Sequence, residues 1–373
     1  MAGLYIHIPF CKQACSYCDF HFSTSLKYKS ELLNAIHQEI IGSKGYFLDK
    51  KLETIYFGGG TPSVLDIADI ESLFTTIYDT FDASEVKEVT FEANPDDLDK
   101  DFVRDLAGSP INRLSIGIQS FHDKDLLFMK RAHSSGQARK AIELAIENDF
   151  EISADLIYGL PNSSESEWLD NIRLLTAYNP CHISAYQLTI EPKTLLHHQV
   201  KTNKITVATD EVYENQFSIL IHELAEKGYE QYEISNFCQD GKYALHNSNY
   251  WRGKSYLGIG PSAHSFNQDE RHWNVANNAT YIKALATKEE YRTVEKLSVK
   301  NRFNEMLMTG LRTKWGVDLN KIKSISIDSY DGLEKGTEKW IDQGYMLRSD
   351  NQITLTAKGK MIADKIISEL FEV

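Results

Sequence analysis

Three cysteines near the start of the chain are the residues best suited to bind a metal. Cys11, Cys15 and Cys18 lie within eight residues of one another, in the pattern Cys-x3-Cys-x2-Cys. Thiolates are soft ligands that suit zinc or an iron–sulfur cluster. The other two cysteines, Cys181 and Cys238, stand alone and are expected to be small buried residues. An odd number of cysteines with three crowded thiols indicates a metal site and not a disulfide framework.

Two kinds of metal centre fit this spacing. A four-iron cluster held by three of its irons would keep one iron open for a substrate or a cofactor. A structural zinc ion would need a fourth ligand, which His7 or His21 could supply. The spacing alone leaves both centres open.

The elements that position these cysteines follow an alternating order. Short apolar segments predict six strands, and amphipathic segments between them predict helices. The strands are predicted over 4–8, 52–57, 86–92, 113–118, 152–157 and 182–187, and the helices over 27–40, 67–78, 98–106, 136–148 and 165–177. Six strand–helix units predict a parallel α/β sheet, either doubly wound or a (β/α) barrel that is complete or partial.

Polar and glycine residues with chemical potential follow these strands. Cys11 comes after the first, the Gly-Gly-Gly-Thr segment 58–61 after the second, and Gln119 after the fourth, while Glu92 and Asp155 lie at or near the ends of the third and fifth. The carboxyl ends of parallel strands meet at one edge, where functional groups gather. The sequence therefore predicts one site at this edge.

Longer motifs make the pattern specific. A cysteine triplet after the first strand of a β/α array resembles the radical S-adenosylmethionine (SAM) superfamily. The segments YIHIPFCKQACSYCDF, YFGGGTP, TFEANP, LSIGIQSF, KRAH and DLIYGLP, in this order, resemble the oxygen-independent coproporphyrinogen III oxidase family. The resemblance covers at least residues 4–190. It implies a partial (β/α)6 TIM-like barrel of the radical SAM type and a [4Fe–4S] cluster on Cys11, Cys15 and Cys18, with SAM at the open iron.

The same resemblance implies a set of SAM-binding residues. Their chemistry suits the ligand, because carboxylates accept hydrogen bonds from an ammonium or ribose hydroxyls and a guanidinium pairs with a carboxylate. Glycines allow the backbone to approach a ligand closely. The implied residues are Tyr5, Tyr17, Gly59, Gly60, Thr61, Glu92, Gln119, Arg131 and Asp155.

Two departures separate this chain from the oxidases. Phe20 stands where that family carries a further cysteine, and nothing precedes the first strand where the family has an extension. Residues 246–251 read HNSNYW and are followed by YLGIG, which resembles the heme-chaperone branch of the family. The resemblance implies heme contacts by His246, Tyr250 and Trp251, since imidazole is a common axial ligand and aromatic rings cover a macrocycle.

Other interpretations of this motif stay open. His246 could instead be hydrogen-bonded inside a loop core, with Tyr250 and Trp251 packing around it. Other histidines offer alternative heme ligands: His197, His198, His264 and His272.

Three units are expected: a barrel core over 1–190, an extension over 191–295 and a mainly helical, winged-helix-like module over 296–373. The chain carries 53 acidic and 40 basic residues, a net charge of −13, which disfavours nucleic acid as a partner. Neither a signal peptide nor an apolar run of 18 residues is present, so we expect a cytoplasmic protein that is not integral to a membrane. Peripheral membrane docking and a homodimer remain compatible with the sequence.

Three functions follow from these observations. The first is binding of heme and its delivery to recipient hemoproteins. The second is enzymatic, the oxidative decarboxylation of coproporphyrinogen III in porphyrin biosynthesis, and it rests on the retained SAM residues. The third is a zinc protein on a barrel scaffold. Whether the chain is an enzyme, and whether SAM is cleaved, the sequence does not decide.

Overall fold

Six parallel strands form the centre of the molecule. The computed structural model describes residues 2–47 and 51–372. The strands pair in chain order, β1 to β6, each with the next. In a doubly wound sheet the order of the strands reverses at one point along the sheet. No such reversal occurs between β1 and β6, so the chain adopts the barrel alternative. The strands are β1 (Ala2–Ile8), β2 (Leu52–Gly59), β3 (Glu88–Ala93), β4 (Arg113–Gln119), β5 (Glu151–Tyr158) and β6 (His182–Gln187).

Helices on the outside cover the apolar side chains of these strands. Leu4, Ile6 and Ile8 of β1 are fully buried, as expected for a strand covered on both faces. Serine capping boxes begin two of the helices at Ser134 and Ser164. The helices are α1 (Lys29–Gly42), α2 (Ile67–Thr80), α3 (Lys100–Ala107), α4 (Asp123–Phe128), α5 (Ser135–Glu147) and α6 (Glu165–Ala177), with a 3-10 turn at Pro62–Val64. The short α4 was not predicted from the sequence.

The barrel does not close on itself. Beyond β6 the sheet continues through the antiparallel strands β8 and β7, and beyond β1 it continues through β9, which is parallel to β1, and then β10 to β12. The twelve-stranded sheet therefore has two edges, and the predicted partial (β/α)6 barrel is confirmed. These strands are β7 (Glu230–Glu233), β8 (Asn236–Cys238), β9 (Tyr256–Ile259), β10 (His264–Phe266), β11 (Glu270–Asn274) and β12 (Arg292–Lys296).

Four further helices accompany these added strands. Phe217, Leu257 and Tyr281 from this part of the chain belong to the same apolar core as the barrel strands. Burial of these residues fixes residues 191–295 against the barrel. The helices are α7 (Leu195–Lys201), α8 (Asp210–Glu226), α9 (Leu245–Trp251) and α10 (Asn278–Thr287).

The last part of the chain has an apolar core of its own, which includes Phe303, Trp340 and Ile366. A three-stranded sheet, ordered β13-β15-β14, packs with five helices, an arrangement that resembles a winged helix. The elements are α11 (Val299–Leu311), β13 (Val317–Asp318), α12 (Leu319–Ile325), α13 (Ile327–Asp342), β14 (Met346–Ser349), β15 (Gln352–Leu355), α14 (Ala357–Lys360) and α15 (Ala363–Leu370). The unit boundaries at 190 and 295 stay predictions. The separate apolar core of the last part of the chain is relevant to the boundary at 295.

Two details of this module matter for the site. The last helical stretch of the chain is broken, because α14 ends at Lys360 and α15 begins at Ala363. The module contacts the barrel at β7, where Lys314 N donates to Tyr232 O at 2.9 Å and Ile234 N donates to Arg312 O at 3.1 Å. Within the described ranges, no helix is both long and apolar enough to cross a membrane.

Candidate functional site

A cavity of about 850 Å³ opens at the carboxyl ends of the barrel strands. All the residues predicted to hold a cluster or SAM line its wall except Tyr5. The lining members of that set are Cys11, Cys15, Cys18, Tyr17, Gly59, Gly60, Thr61, Glu92, Gln119, Arg131 and Asp155. The strand-end argument therefore locates the cavity from sequence alone.

The cysteine loop is held over this cavity by a buried serine that the sequence did not single out. Ser16 N donates to Met129 O at 3.0 Å, and Ser16 Oγ donates to Phe128 O at 3.2 Å. Leu196 N, at the start of α7, donates to Ser16 O at 2.8 Å. Two separate chain segments thus fix the middle of the loop, so the thiols on either side of Ser16 have a defined position.

The three cysteines have free, half-buried thiols. Thr61 Oγ1 donates to Cys11 Sγ at 3.4 Å, and Arg131 Nη1 donates to Cys15 Sγ at 3.5 Å. Burial raises the pKa of Cys11 and raises that of Cys18 to about 11. Metal binding to these thiols must therefore release protons. Donors aimed at sulfur suit thiolates, which the cluster would require, so the residues present fit such a group.

A single zinc ion is less well supported. In residues 2–47 and 51–372, no group of three or more His, Cys, Asp or Glu side chains, the cysteine triplet included, is arranged to hold one ion. His7 uses both ring nitrogens, Nδ1 with Tyr5 OH at 3.1 Å and Nε2 with the His21 carbonyl at 3.0 Å. His21 Nε2 lies 2.7 Å from Asn278 Oδ1. The histidines proposed as a fourth zinc ligand are thus engaged elsewhere.

The glycine segment after β2 is required by packing against β1. Gly59 has a φ of +109°, and a Cβ on it would lie 2.5 Å from the His7 ring. A Cβ on Gly60 would lie 2.6 Å from Phe10 O, and Gly60 N donates to Ile8 O at 2.9 Å. Only glycine tolerates such contacts. The segment can therefore present its backbone to the cavity as the sequence predicts.

Two carboxyl groups, Glu92 and Asp155, lie on the cavity wall. Tyr56 OH donates to Glu92 Oε1 at 2.6 Å, and Gly59 N donates to Glu92 Oε2 at 3.2 Å. Burial raises the pKa of Glu92, although these two donors oppose the effect. Burial and the nearby Glu92 raise the pKa of Asp155 to about 7. A cationic ligand at this wall would favour the ionised form of both groups.

Arg131 is the cation nearest to the cysteine loop on this wall. Its Nη2 donates to Asn94 Oδ1 at 2.6 Å and to Gly117 O at 3.0 Å, while its buried Nε has no partner. None of these partners is a carboxylate, so the guanidinium can still bind a ligand carboxylate, although its Nη1 also donates to Cys15 Sγ. Gln119 ends β4 with a φ of +64°, a backbone conformation uncommon for residues other than glycine.

Asn94 is a site residue that sequence reasoning missed. It lines the cavity, accepts a hydrogen bond from Arg131, and its Nδ2 donates to Thr61 Oγ1 at 3.2 Å. It directly follows the end of β3 at Ala93. The strand-end rule applied to Glu92 could have identified Asn94 as well.

Tyr5 lies deeper than predicted. It lies three residues before the end of β1, and its ring packs 5.9 Å from that of Tyr56 and 6.5 Å from that of His246. Its hydroxyl lies 3.1 Å from His7 Nδ1. Tyr5 therefore supports residues below the cavity and does not line its wall.

The residues implied in heme contacts also lie away from the cavity wall. His246 is 1% exposed near the amino ends of the strands, where a Cβ on Gly3 would lie 3.1 Å from its Cε1. Its Nδ1 lies 2.7 Å from Thr54 Oγ1, and its Nε2 lies 2.6 Å from Tyr250 OH. Both ring nitrogens are thus occupied. The geometry fits the other interpretation, a histidine hydrogen-bonded within a packed interior.

Helix α9 is fixed in this position by a buried acid. Glu88 accepts hydrogen bonds from Leu245 N at 2.7 Å and His246 N at 2.8 Å, and it lies 3.8 Å from Arg113 Nη1. A carboxylate at the N-terminus of a helix is stabilised by the free amide groups there. The HNSNYW segment therefore closes the amino end of the barrel.

Trp251 differs from the other two motif residues. It is half-buried, and the Arg312 guanidinium lies 5.8 Å from the centre of its ring. Arg312 belongs to the C-terminal module and lines the cavity. The alternative heme ligands suggested by the sequence do not line it: His197, His198, His264 and His272.

Comparison with known proteins identifies the class first. Residues 5–175 match the Radical SAM superfamily. The fold is similar to that of a solved Escherichia coli structure described as "Coproporphyrinogen III oxidase (HemN)", with a TM-score of 0.85 and 22% identity over 99% of this chain and 90% of that one. The barrel with its cysteine loop is thus of the radical SAM type, and the class implies a [4Fe–4S] cluster and SAM.

Curated relatives then narrow the family. The chain is 32% identical to "Heme chaperone HemW" of Bacillus subtilis (strain 168), over 98% of each chain. It is 36% identical to the protein of the same name from Escherichia coli (strain K12), over 70% of this chain and 69% of that one. This chain belongs to the HemW family of radical SAM proteins.

Proposed function

We propose that this protein binds heme and delivers it to recipient hemoproteins. The observation that carries the proposal is the 32% identity to a curated heme chaperone over 98% of both chains. Such coverage includes the barrel, the extension and the C-terminal module together. A cytoplasmic location, peripheral docking on a membrane partner and homodimerisation are expectations that belong to the same proposal.

We also propose that Cys11, Cys15 and Cys18 hold the cluster and that the cavity wall holds SAM. When bound, the cluster and SAM together supply one-electron chemistry. The guanidinium of Arg131, which is not paired with an acid, would bind the SAM carboxylate. Glu92 and Asp155, which are half-buried on the cavity wall, would accept hydrogen bonds from the ammonium or ribose hydroxyls.

The heme contacts implied for His246, Tyr250 and Trp251 need a change of structure. Axial ligation by His246 would require helix α9 to leave the barrel and to release both ring hydrogen bonds. If the imidazole left, the buried hydroxyls of Thr54 and Tyr250 would lose their hydrogen-bond partner, which costs free energy. We therefore propose that His246 acts in packing and that heme binds elsewhere on the chain.

A heme titration of anaerobically reconstituted protein tests the main proposal. Wild type is expected to take up heme to saturation, with a shifted absorption band. Cys15→Ala is expected to lose the cluster, so its titration shows whether heme uptake depends on cluster binding. His246→Ala is expected to give the wild-type spectrum. An absence of uptake by all three proteins would contradict heme binding. A spectrum lost only in His246→Ala would restore this histidine as the ligand.

Decarboxylation of coproporphyrinogen III is the second candidate. The predicted SAM residues on the cavity wall, which are all of that set except Tyr5, favour it. Phe20 opposes it, because this side chain is 68% exposed on the same wall, where the oxidase family carries a cysteine. An anaerobic assay with SAM, reductant and coproporphyrinogen III decides. Formation of protoporphyrinogen IX at the rate of a control oxidase would favour the enzymatic function. If no product forms, the chaperone function is the candidate that remains.

A further inference from the structure

The cavity has a second wall that the barrel does not supply. Seven residues of the C-terminal module line it, and we call them the module wall: Arg312, Lys360, Met361, Ile362, Ala363, Asp364 and Lys365. Three of them lie in or just after α14, at the break before α15. This break turns the chain toward the cavity and places a cation, Lys360, next to apolar side chains.

Lys360 is a half-buried cation without a close acidic partner. Its Nζ donates to Gln231 Oε1 at 3.0 Å. The nearest acids are engaged by other cations, since Glu230 pairs with Lys314 at 2.6 Å and Glu233 with Arg312 at 3.3 Å. Burial lowers the pKa of Lys360, although these acids oppose the effect. An ammonium has three donors, so two remain for a ligand.

Arg312 stands beside this lysine on the module wall. Its Nε donates to Glu233 Oε1 at 3.3 Å and its Nη1 to Asp364 Oδ1 at 2.7 Å. Because Glu233 is buried, loss of Arg312 would leave a buried acid without its cation. The charge of Arg312 is thus balanced by two acids, and Lys360 is the group with free donors.

Large apolar side chains are exposed in the same cavity. Phe20 is 68% exposed, Tyr186 is 42% exposed and Met361 is 38% exposed, and all three line it. Apolar surface gathered in a concave site indicates a ligand with an apolar body. Lys360 beside them indicates that this ligand also carries a negative group. In a chain with a net charge of −13, a half-buried lysine with free donors is a local feature that favours an anion.

We propose that the module wall is a carboxylate subsite, in which Lys360 binds the carboxylate side chains of a flat apolar macrocycle held in this cavity. The inference rests on the proposed function, because heme is the macrocycle in question. This subsite differs from the proposed SAM site, where Arg131 of the barrel would bind the carboxylate of the amino-acid part of SAM.

The test compares Lys360→Gln with Lys358→Gln. Both lysines lie on α14, but Lys358 is exposed, donates to Gln343 O at 3.2 Å and does not line the cavity. Each reconstituted protein is titrated with iron protoporphyrin IX and with its dimethyl ester, which has no free carboxylates. A charge-assisted hydrogen bond contributes enough that its loss is expected to weaken binding about tenfold.

We expect binding to weaken about tenfold only when Lys360→Gln is titrated with the free acid. The ester should bind equally to wild type and both variants, Lys360→Arg should restore binding of the acid, and SAM affinity should not change. Equal affinity of Lys360→Gln and wild type for the free acid would overturn the subsite while heme binding stands. An absence of uptake by wild type would overturn the proposed function and the subsite together.

Discussion

Arg131 and His246, at opposite ends of the barrel, differ in how their side chains are paired, although the amino end also has buried atoms without a hydrogen-bond partner, Arg113 Nη1 and Nη2 among them. At the carboxyl end, Arg131 has a buried Nε without a partner, and Asp155 faces a large cavity. At the amino end, His246 uses both ring nitrogens and Glu88 accepts two backbone hydrogen bonds. Buried polar groups are normally paired. An unpaired group beside a cavity therefore indicates a ligand, whereas a paired histidine indicates packing.

This difference shows that side-chain type does not decide function by itself. Cys15 and His246 are both metal-binding residue types, and both belong to motifs that resemble known families. Only Cys15 lies on the cavity wall. The position of a residue along the barrel axis separates the two roles, and substitutions at each end can test this separation.

The largest effect is expected for Cys15→Ala. Removing one of three thiolates should abolish cluster binding, because the two that remain are too few to hold the cluster. Iron and sulfide analysis after anaerobic reconstitution measures the result. Cys181→Ala is the matched control, since Cys181 lies before β6 at the amino end and its Sγ donates to Ile152 O. A full cluster in Cys15→Ala would show that the cysteine loop is not the metal site.

His246→Ala should reduce stability without affecting the cluster. The change leaves Thr54 and Tyr250 without a partner and creates a cavity, which together cost about 3 kcal/mol in the free energy of unfolding. Denaturant unfolding followed by circular dichroism measures this loss. His222→Ala, at an exposed position of α8, should change stability little. Unchanged stability of His246→Ala would contradict the packing role.

The smallest effect is expected for Asp155→Asn, through pH. The pKa of Asp155 is raised to about 7 in the folded protein, from an ordinary value of 3.8. Folding therefore favours the protonated form, and stability falls as pH rises from about 4 to 7. Asparagine does not ionise, so the decrease in Tm between pH 5 and 8 should shrink by about 2 °C.

Thermal unfolding of the cluster-free protein across this pH range gives the measurement for Asp155. Asp79→Asn, an exposed position on α2, should keep the wild-type dependence. If Asp155→Asn also keeps the wild-type dependence of Tm on pH, the carboxyl end of the barrel is more hydrated than its geometry indicates.

Much of the barrel could be predicted because its signals are local. Apolar runs and helical periodicity located all six strands to within two residues at each end. The strand-end rule then located Cys11, Gly59, Glu92 and their neighbours on one cavity. These predictions succeed because parallel strands share a direction, so residues at their ends must meet.

Depth along the barrel and contacts between distant segments were not predictable in this way. Alternation along a strand gives the face of Tyr5 but not its depth, and each residue changes the depth by about 3.3 Å. The sequence of α9 does not tell which end of the barrel it closes. Lys360 reaches the cavity only because the module packs on β7, and no local pattern encodes that contact.

Gly3 and His246 have a consequence for the comparison of related sequences. A Cβ at position 3 would approach both the His246 ring and Thr54 Oγ1 to 3.1 Å, so a larger residue there would require this hydrogen-bonded pair to shift by a few tenths of an ångström. The two positions are 243 residues apart in the chain and yet are not free to vary independently. Relatives that keep the histidine should keep the glycine, and covariation of this pair would record the closed amino end of the barrel.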